Sequence, residues 1–98
     1  MPTEHASIVR VARFRPASGQ RDALLTRVQG AVDGIRQREG CFGAQVCSVR
    51  EDPEAIVIIS RWSNQAALDQ FLSDSADQRA GAAAFTQGPV ATETFVSV

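Results

Sequence analysis

The spacing of the apolar residues changes in a definite order along this chain, and that order limits the fold more than any other feature. Over residues 5–15, Ile8, Ala12 and Phe14 share one parity, while Val9 and Val11 take the other. This is the period of a strand. Over 20–38, Leu24, Leu25, Val28, Ala31, Val32 and Ile35 recur every three or four residues, a helical stripe with Arg21, Arg27, Asp33 and Arg36 opposite. Strands over 41–50 and 55–62 flank the link Glu51-Asp-Pro-Glu54 and read as a hairpin. A second helix over 64–72 collects Ala67, Leu68, Phe71 and Leu72 on one side, and an Ala-rich helical piece follows over 76–86. Residues 90–98 alternate again. The order β-α-β-β-α-β predicts an α+β, ferredoxin-like split βαβ domain, a four-stranded antiparallel sheet with its helices on one face. Residues 1–98 form a single domain, because half of so short a chain buries too little to fold alone.

The punctuation agrees with this order. Pro16-Ala-Ser-Gly19 breaks the first strand, and Ser18 is the expected N-cap of the first helix. Ser63 is the expected cap of the second. Gly40 ends the first helix. Gly30 and Gly34 sit inside that helix at about 1 kcal/mol each against Ala, a cost that close packing on a neighbour would explain.

One segment does not fit a sheet with a wet face. Ala55-Ile-Val-Ile-Ile59 is apolar on both parities, and Val9 with Val11 adds to the side the helices do not cover. A chain of 98 residues has no spare element for that face. A second copy is the simplest cover, which predicts a homodimer packed sheet against sheet.

What the chain lacks narrows its chemistry. It has no Lys, which excludes Schiff-base and pyridoxal-phosphate chemistry and the phosphate-binding P-loop. It has no Tyr, and His5 is its single His, so no site uses two His ligands. His5 has a suitable pKa for a general base, but a place so near the terminus favours a solvated, functionless residue. The carboxylates are scattered with no pairing suited to acid/base work or a metal, so neither metal nor cofactor is expected. A net charge of -1 argues against nucleic acid or an anionic membrane as partner. Cys41 and Cys47, read as one strand, share a face about 20 Å apart, too far for a disulfide. Free thiols and the lack of a leader or membrane-spanning run predict a soluble, cytoplasmic protein.

Local patterns then carry a resemblance. Val11-Ala-Arg-Phe-Arg15 precedes a Pro/Gly turn, Arg38-Glu-Gly-Cys-Phe-Gly43 opens the second strand, and Ser60-Arg-Trp-Ser63 closes the third. Asn64-Gln-Ala-Ala-Leu68 and Phe71-Leu-Ser73 begin the helix that follows. In this order, over about residues 6–97, they resemble the antibiotic-biosynthesis monooxygenase domain of the dimeric α/β-barrel superfamily. The resemblance implies two sheets closing into a barrel across a dimer, and oxidation of polyphenols or anthrones to quinones by O2 without metal or flavin. In such chemistry the substrate is the reductant, and the protein binds it, favours its deprotonated form and excludes water.

The same resemblance makes Trp62 the expected catalytic residue, at a strand end beside the cavity. Strand parity puts Ile56, Ile58, Ser60 and Trp62 on one face, where the indole offers an aromatic wall and one N–H. The competing reading is a core Trp. Ile58, Ser60, Arg10, Phe14 and Phe71 are the expected substrate-binding residues. Arg10 shares parity with Ile8, Ala12 and Phe14, so it either stabilises a phenolate or pairs with a strand carboxylate such as Glu93. Arg13 and Arg61, of the other parity, are expected on the dimer face. Two departures bear on activity. Ile58 stands where quinone-forming relatives carry an amide, and Phe71 and Ser75-Ala76 stand where many relatives carry a His and a Pro-His pair. These keep open an accessory role, in which the same barrel holds a small apolar ligand without chemistry of its own.

Overall fold

The fold was examined in a computed structural model that describes residues 8–98. His5 lies outside the described residues. Strand β1 is Ile8–Phe14, helix α1 Arg21–Arg36, β2 Cys41–Val49, β3 Asp52–Trp62, α2 Gln65–Asp74 and α3 Ala76–Gly81. A 3₁₀ turn, Ala82–Phe85, leads to β4, Ala91–Val96. The sheet order is β2-β3-β1-β4 with every neighbour antiparallel. This is the ferredoxin-like α+β arrangement that the order of periods predicts.

Register assigns each strand residue to a face. Across the sheet, Ala44, Ser60, Arg10 and Thr94 form one row, and Val46, Ile58, Ala12 and Thr92 form the next. These rows belong to the helix-facing side, since Ala44, Ser60, Ala12 and Ile58 are buried there. Leu24, Val28, Val32 and Ile35 of α1 join Ile56, Ile58, Trp62, Leu68 and Phe71 in the core. At about 25 cal/mol per Å2 of apolar surface removed from water, this cluster is the main term favouring the fold.

The helix ends differ from expectation by short slips. Ser18 does not cap α1. It lies in the turn, with Gly19 at φ +76°, and Gln20 takes the N-cap position without a side-chain bond. Asn64 rather than Ser63 caps α2, its Oδ1 accepting from the Ala67 amide at 2.8 Å. The packing account of Gly30 and Gly34 does not hold. A Cβ at either would meet nothing within 4 Å, and both are exposed. Gly40 is the glycine the fold requires. Its φ is +86°, and a Cβ there would lie 2.6 Å from the Cβ of Ala67.

The hairpin is tighter than the four-residue link suggests, with Asp52 and Pro53 already in β3. At the other end of β2 the register slips at Phe42. Cys41 pairs with Trp62, but Gly43 pairs with Arg61. This irregularity reverses parity, as β-bulges do. Cys41 therefore sits on the helix side against the core, and Cys47, opposite Val57, on the other side. They do not share a face as a regular strand would have it, and both thiols are free.

The helices do not cover the sheet evenly. Helix α1 packs on β2 and β3, and α2 packs on β3. Strand β4 is exposed at all of its 6 residues, with Phe95 at 51% and Val96 at 61%. Strand β4 is thus the open edge of the sheet, whereas Ile8 and Ala12 on the helix-facing side of β1 are buried.

Candidate functional site

Trp62 is the last residue of β3 and is fully buried, at 0% exposure. Strand alternation turns it to the same side as Ser60, and the two side chains satisfy each other. The indole Nε1 donates to Ser60 Oγ at 2.9 Å. Phe71, one turn into the buried stripe of α2, stacks on the indole with ring centroids 5.3 Å apart and planes inclined by 23°. The hydroxyl beside the indole therefore has a partner within the protein. Among the described residues no buried side-chain polar atom lacks one.

The other expected binding residues divide between two places. Ile58 and Ser60 lie with Trp62 and Phe71 in the core, and Phe14 packs against its edge. Arg10 lies one strand along in the same row, directly between Ser60 on β3 and Thr94 on the exposed strand β4. The alternative of an Arg10–Glu93 pair is not realised. Glu93 faces Val11 across the strands, so it lies on the other side of the sheet. Burial, followed by the nearby charge of Arg79, lowers the Arg10 guanidinium from its usual pKa.

Arg79 is the residue whose charge acts on Arg10. It lies on α3, donating from Nε to Ser75 Oγ at 3.1 Å and from the guanidinium to the Leu72 carbonyl.

Several other arginines have partners within the protein. Arg13 and Arg15 both engage Asp52, and Arg38 binds Asp74 at 2.6 Å while lying over the Phe71 ring. Arg13 thus ties β1 to the start of β3, and it is exposed on the same side of the sheet as Arg61. Open surface depressions occur among the described residues. One lies around Arg15–Gly19 with Gln87, another between Arg38, Gly40, Ser63 and Gln70. Neither contains Trp62. Among the described residues no group of three His, Cys, Asp or Glu side chains is placed to hold a metal, and no helix is long and apolar enough to cross a membrane.

Comparison with known proteins follows this geometry. The family model described as antibiotic biosynthesis monooxygenase matches residues 7–84. No curated protein matches the sequence. Among solved structures, Rv0793 from Mycobacterium tuberculosis superposes with a TM-score of 0.85 at 21% identity, covering 95% of this chain and 96% of that one. PA3566 from Pseudomonas aeruginosa gives 0.82 at 20% identity, covering 99% of each chain. A structure described as antibiotic biosynthesis monooxygenase gives 0.80 at 20% identity, covering 93% and 98%. At these identities the likeness is one of fold.

Proposed function

Because this chain belongs to the antibiotic biosynthesis monooxygenase family, we propose that it is a cofactor-independent monooxygenase. Its substrate in this reading is an electron-rich aromatic, an anthrone or quinol, oxidised by O2 to a quinone. The net step for an anthrone converts a ring CH2 and O2 into a carbonyl and water. One oxygen atom enters the product, the other leaves as water with the two hydrogens of the CH2 group, and all four electrons that reduce O2 come from the two C–H bonds broken at that carbon.

The family match is the observation that carries this reading, and the geometry supports it in two ways. Strand β4 is open beside the core that holds Trp62 and Phe71. Arg10 stands between β3 and β4 with a positive charge, where a phenolate or enolate would develop. A guanidinium beside a developing oxyanion stabilises the electron-rich form that reacts with O2. Trp62, Ser60, Ile58, Phe14 and Phe71 form the wall behind it. Trp62 acts in this reading by shape and rigidity, since its N–H is already engaged.

The reading includes a homodimer. On the side away from the helices Val9, Val11, Ile59 and Cys47 are only partly buried, and Phe95 is half-exposed. A second copy packed there hides this apolar surface. Sedimentation should give twice the 10.5 kDa chain mass at micromolar concentration, and a monomer removes this part.

Oxygen uptake with a panel of anthrones and hydroquinones, in metal-free and flavin-free buffer, tests the activity. Uptake matched by quinone formation is expected. Ile58 in place of an amide, and Phe71 in place of a His, favour the second reading, a ligand-binding accessory barrel. Saturable binding of the same compounds without oxygen uptake would establish that reading instead.

A further inference from the structure

We propose that residues 76–84 form a strap across the core, latched to α1 by Arg27, and that release of this latch admits the aromatic ligand to Trp62 and Phe71. The opening of the strap stands on its own observations. Its role as a gate rests on the reading that an aromatic binds against these two rings.

The sequence leaves this stretch little to bury. Between Leu72 and Phe85 no apolar side chain is larger than that of alanine. A methyl group removed from water contributes far less than a Leu or Phe side chain. The packing follows from this. Leu72 and Phe85 rest against the core at either end, and of residues 76–84 only Ala82 is buried. Helix α3 is 6 residues long with none buried, and it passes straight into the 3₁₀ turn Ala82–Phe85. Helices so short are marginal without tertiary packing.

The two ends are held. The Ser75 amide donates to the Phe71 carbonyl at 2.9 Å, and the Ala17 amide to the Phe85 carbonyl at 2.9 Å. Ser75 is itself buried. Between these anchors Arg27, an exposed residue of α1, supplies the tie. Its guanidinium donates to the Gln78 carbonyl at 3.3 Å and lies 5.5 Å from the centre of the Phe85 ring. Gly81 leaves room for it, since a Cβ there would lie 2.7 Å from a guanidinium nitrogen of Arg27. Among the described residues, the other hydrogen bonds of 76–84 stay within the segment or run to Leu72, Ser75 and Thr86 nearby in sequence. A segment with few buried apolar contacts and one exposed latch opens at far lower cost than the sheet beneath it.

Such an opening is what the site requires. Trp62 is 0% exposed, Ile58, Ser60 and Phe71 are buried with it, and the surface depressions do not reach it. A ligand touches these side chains only if a covering element moves. Helix α1 is held by Leu24, Val28, Val32 and Ile35, and α2 by Leu68 and Phe71. The strap is held by one buried alanine and Arg27, so it is the element that moves.

Hydrogen exchange on the full chain tests the opening, and Trp62, the sole tryptophan, reports the gate. Amides of 78–84 should exchange at least about a hundredfold faster than those of β3, through local opening. Arg27→Gln should speed them at least about threefold further, as expected for one exposed hydrogen bond and a ring contact. On mixing with excess 2-naphthol, the rate of Trp62 quenching should level off as naphthol rises, because opening limits entry. Arg27→Gln should raise that plateau at least about threefold. Amides of 78–84 as protected as those of β3, or unmoved by Arg27→Gln, overturn the strap. A quenching rate that climbs linearly with naphthol, or a plateau that the substitution leaves unchanged, overturns the gate. If the variant fails to fold, exchange and the form of the quenching rate in the parent still decide. Quenching absent from both proteins sinks the gate together with the aromatic site. Gated quenching without oxygen uptake keeps the gate and sinks the oxygenase reading.

Discussion

Trp62→Phe tests the arrangement around the one tryptophan, and its cost follows from three contacts. The indole N–H donates to Ser60 Oγ at 2.9 Å in a fully buried setting, and losing that bond costs about 1 kcal/mol. Phenylalanine leaves a gap on the order of 40 Å3, which at about 24 cal/mol per Å3 adds roughly 1 kcal/mol. The stack on Phe71 at 5.3 Å survives in reduced form, a loss of a few tenths. Together these give ~2 kcal/mol, which for a domain of this size corresponds to a fall in melting temperature of roughly 10 °C. Thermal melts at matched protein concentration measure it, because a dimer's Tm depends on concentration. A double-mutant cycle with Ser60→Ala isolates the hydrogen bond and should return a coupling of about 1 kcal/mol. A Trp62→Phe protein as stable as the parent, or zero coupling to Ser60, refutes the view that these two side chains satisfy each other.

Gly30→Ala and Gly34→Ala should each raise stability by about 1 kcal/mol, since a Cβ at either meets nothing within 4 Å, and denaturant midpoints will show it. Gly40→Ala should lower stability by more than about 1 kcal/mol, because φ is +86° and the new methyl collides with Ala67. Asn64→Ala should cost about 1 kcal/mol through the lost cap on the Ala67 amide, whereas Ser63→Ala should cost less. The hydrogen bond from Arg15 holds the Asp52 carboxyl below its usual range, and that from Arg38 does the same for Asp74. Their folded pKa values lie below the unfolded value near 4, so the stabilisation is present above about pH 4 and is lost as pH falls through the folded values. Asp52→Asn should flatten that acid limb in melts taken between about pH 5 and pH 2.

The elements were legible because apolar spacing reports local geometry. Ile56, Ile58, Ser60 and Trp62 share a face in the structure as their parity requires, and Leu24, Val28, Val32 and Ile35 are the buried side of α1 as their period requires. What was not legible depended on distant partners or on single-residue slips. Ser63 and Asn64 are both good caps, and only the chain's path after β3 selects the second. The irregularity at Phe42 has no local signal, so Cys41 and Cys47 seemed to share a face. Gly30 and Gly34 seemed to require a close neighbour that the fold does not supply. The relation of Arg10 to Glu93 depended on register with β4. Its relation to Arg79 depended on where α3 lies, and neither is written in spacing.

The central claim is that the substrate itself reduces O2, so the fate of the two oxygen atoms tests it most directly. Turnover of an anthrone under 18O2 should be followed by mass spectrometry, with chelator-treated protein and no flavin or nicotinamide added. The account predicts one labelled oxygen in the quinone and one in water, at a rate unchanged by added metal or flavin. An unlabelled quinone, or turnover that appears only when metal or flavin is supplied, would contradict it.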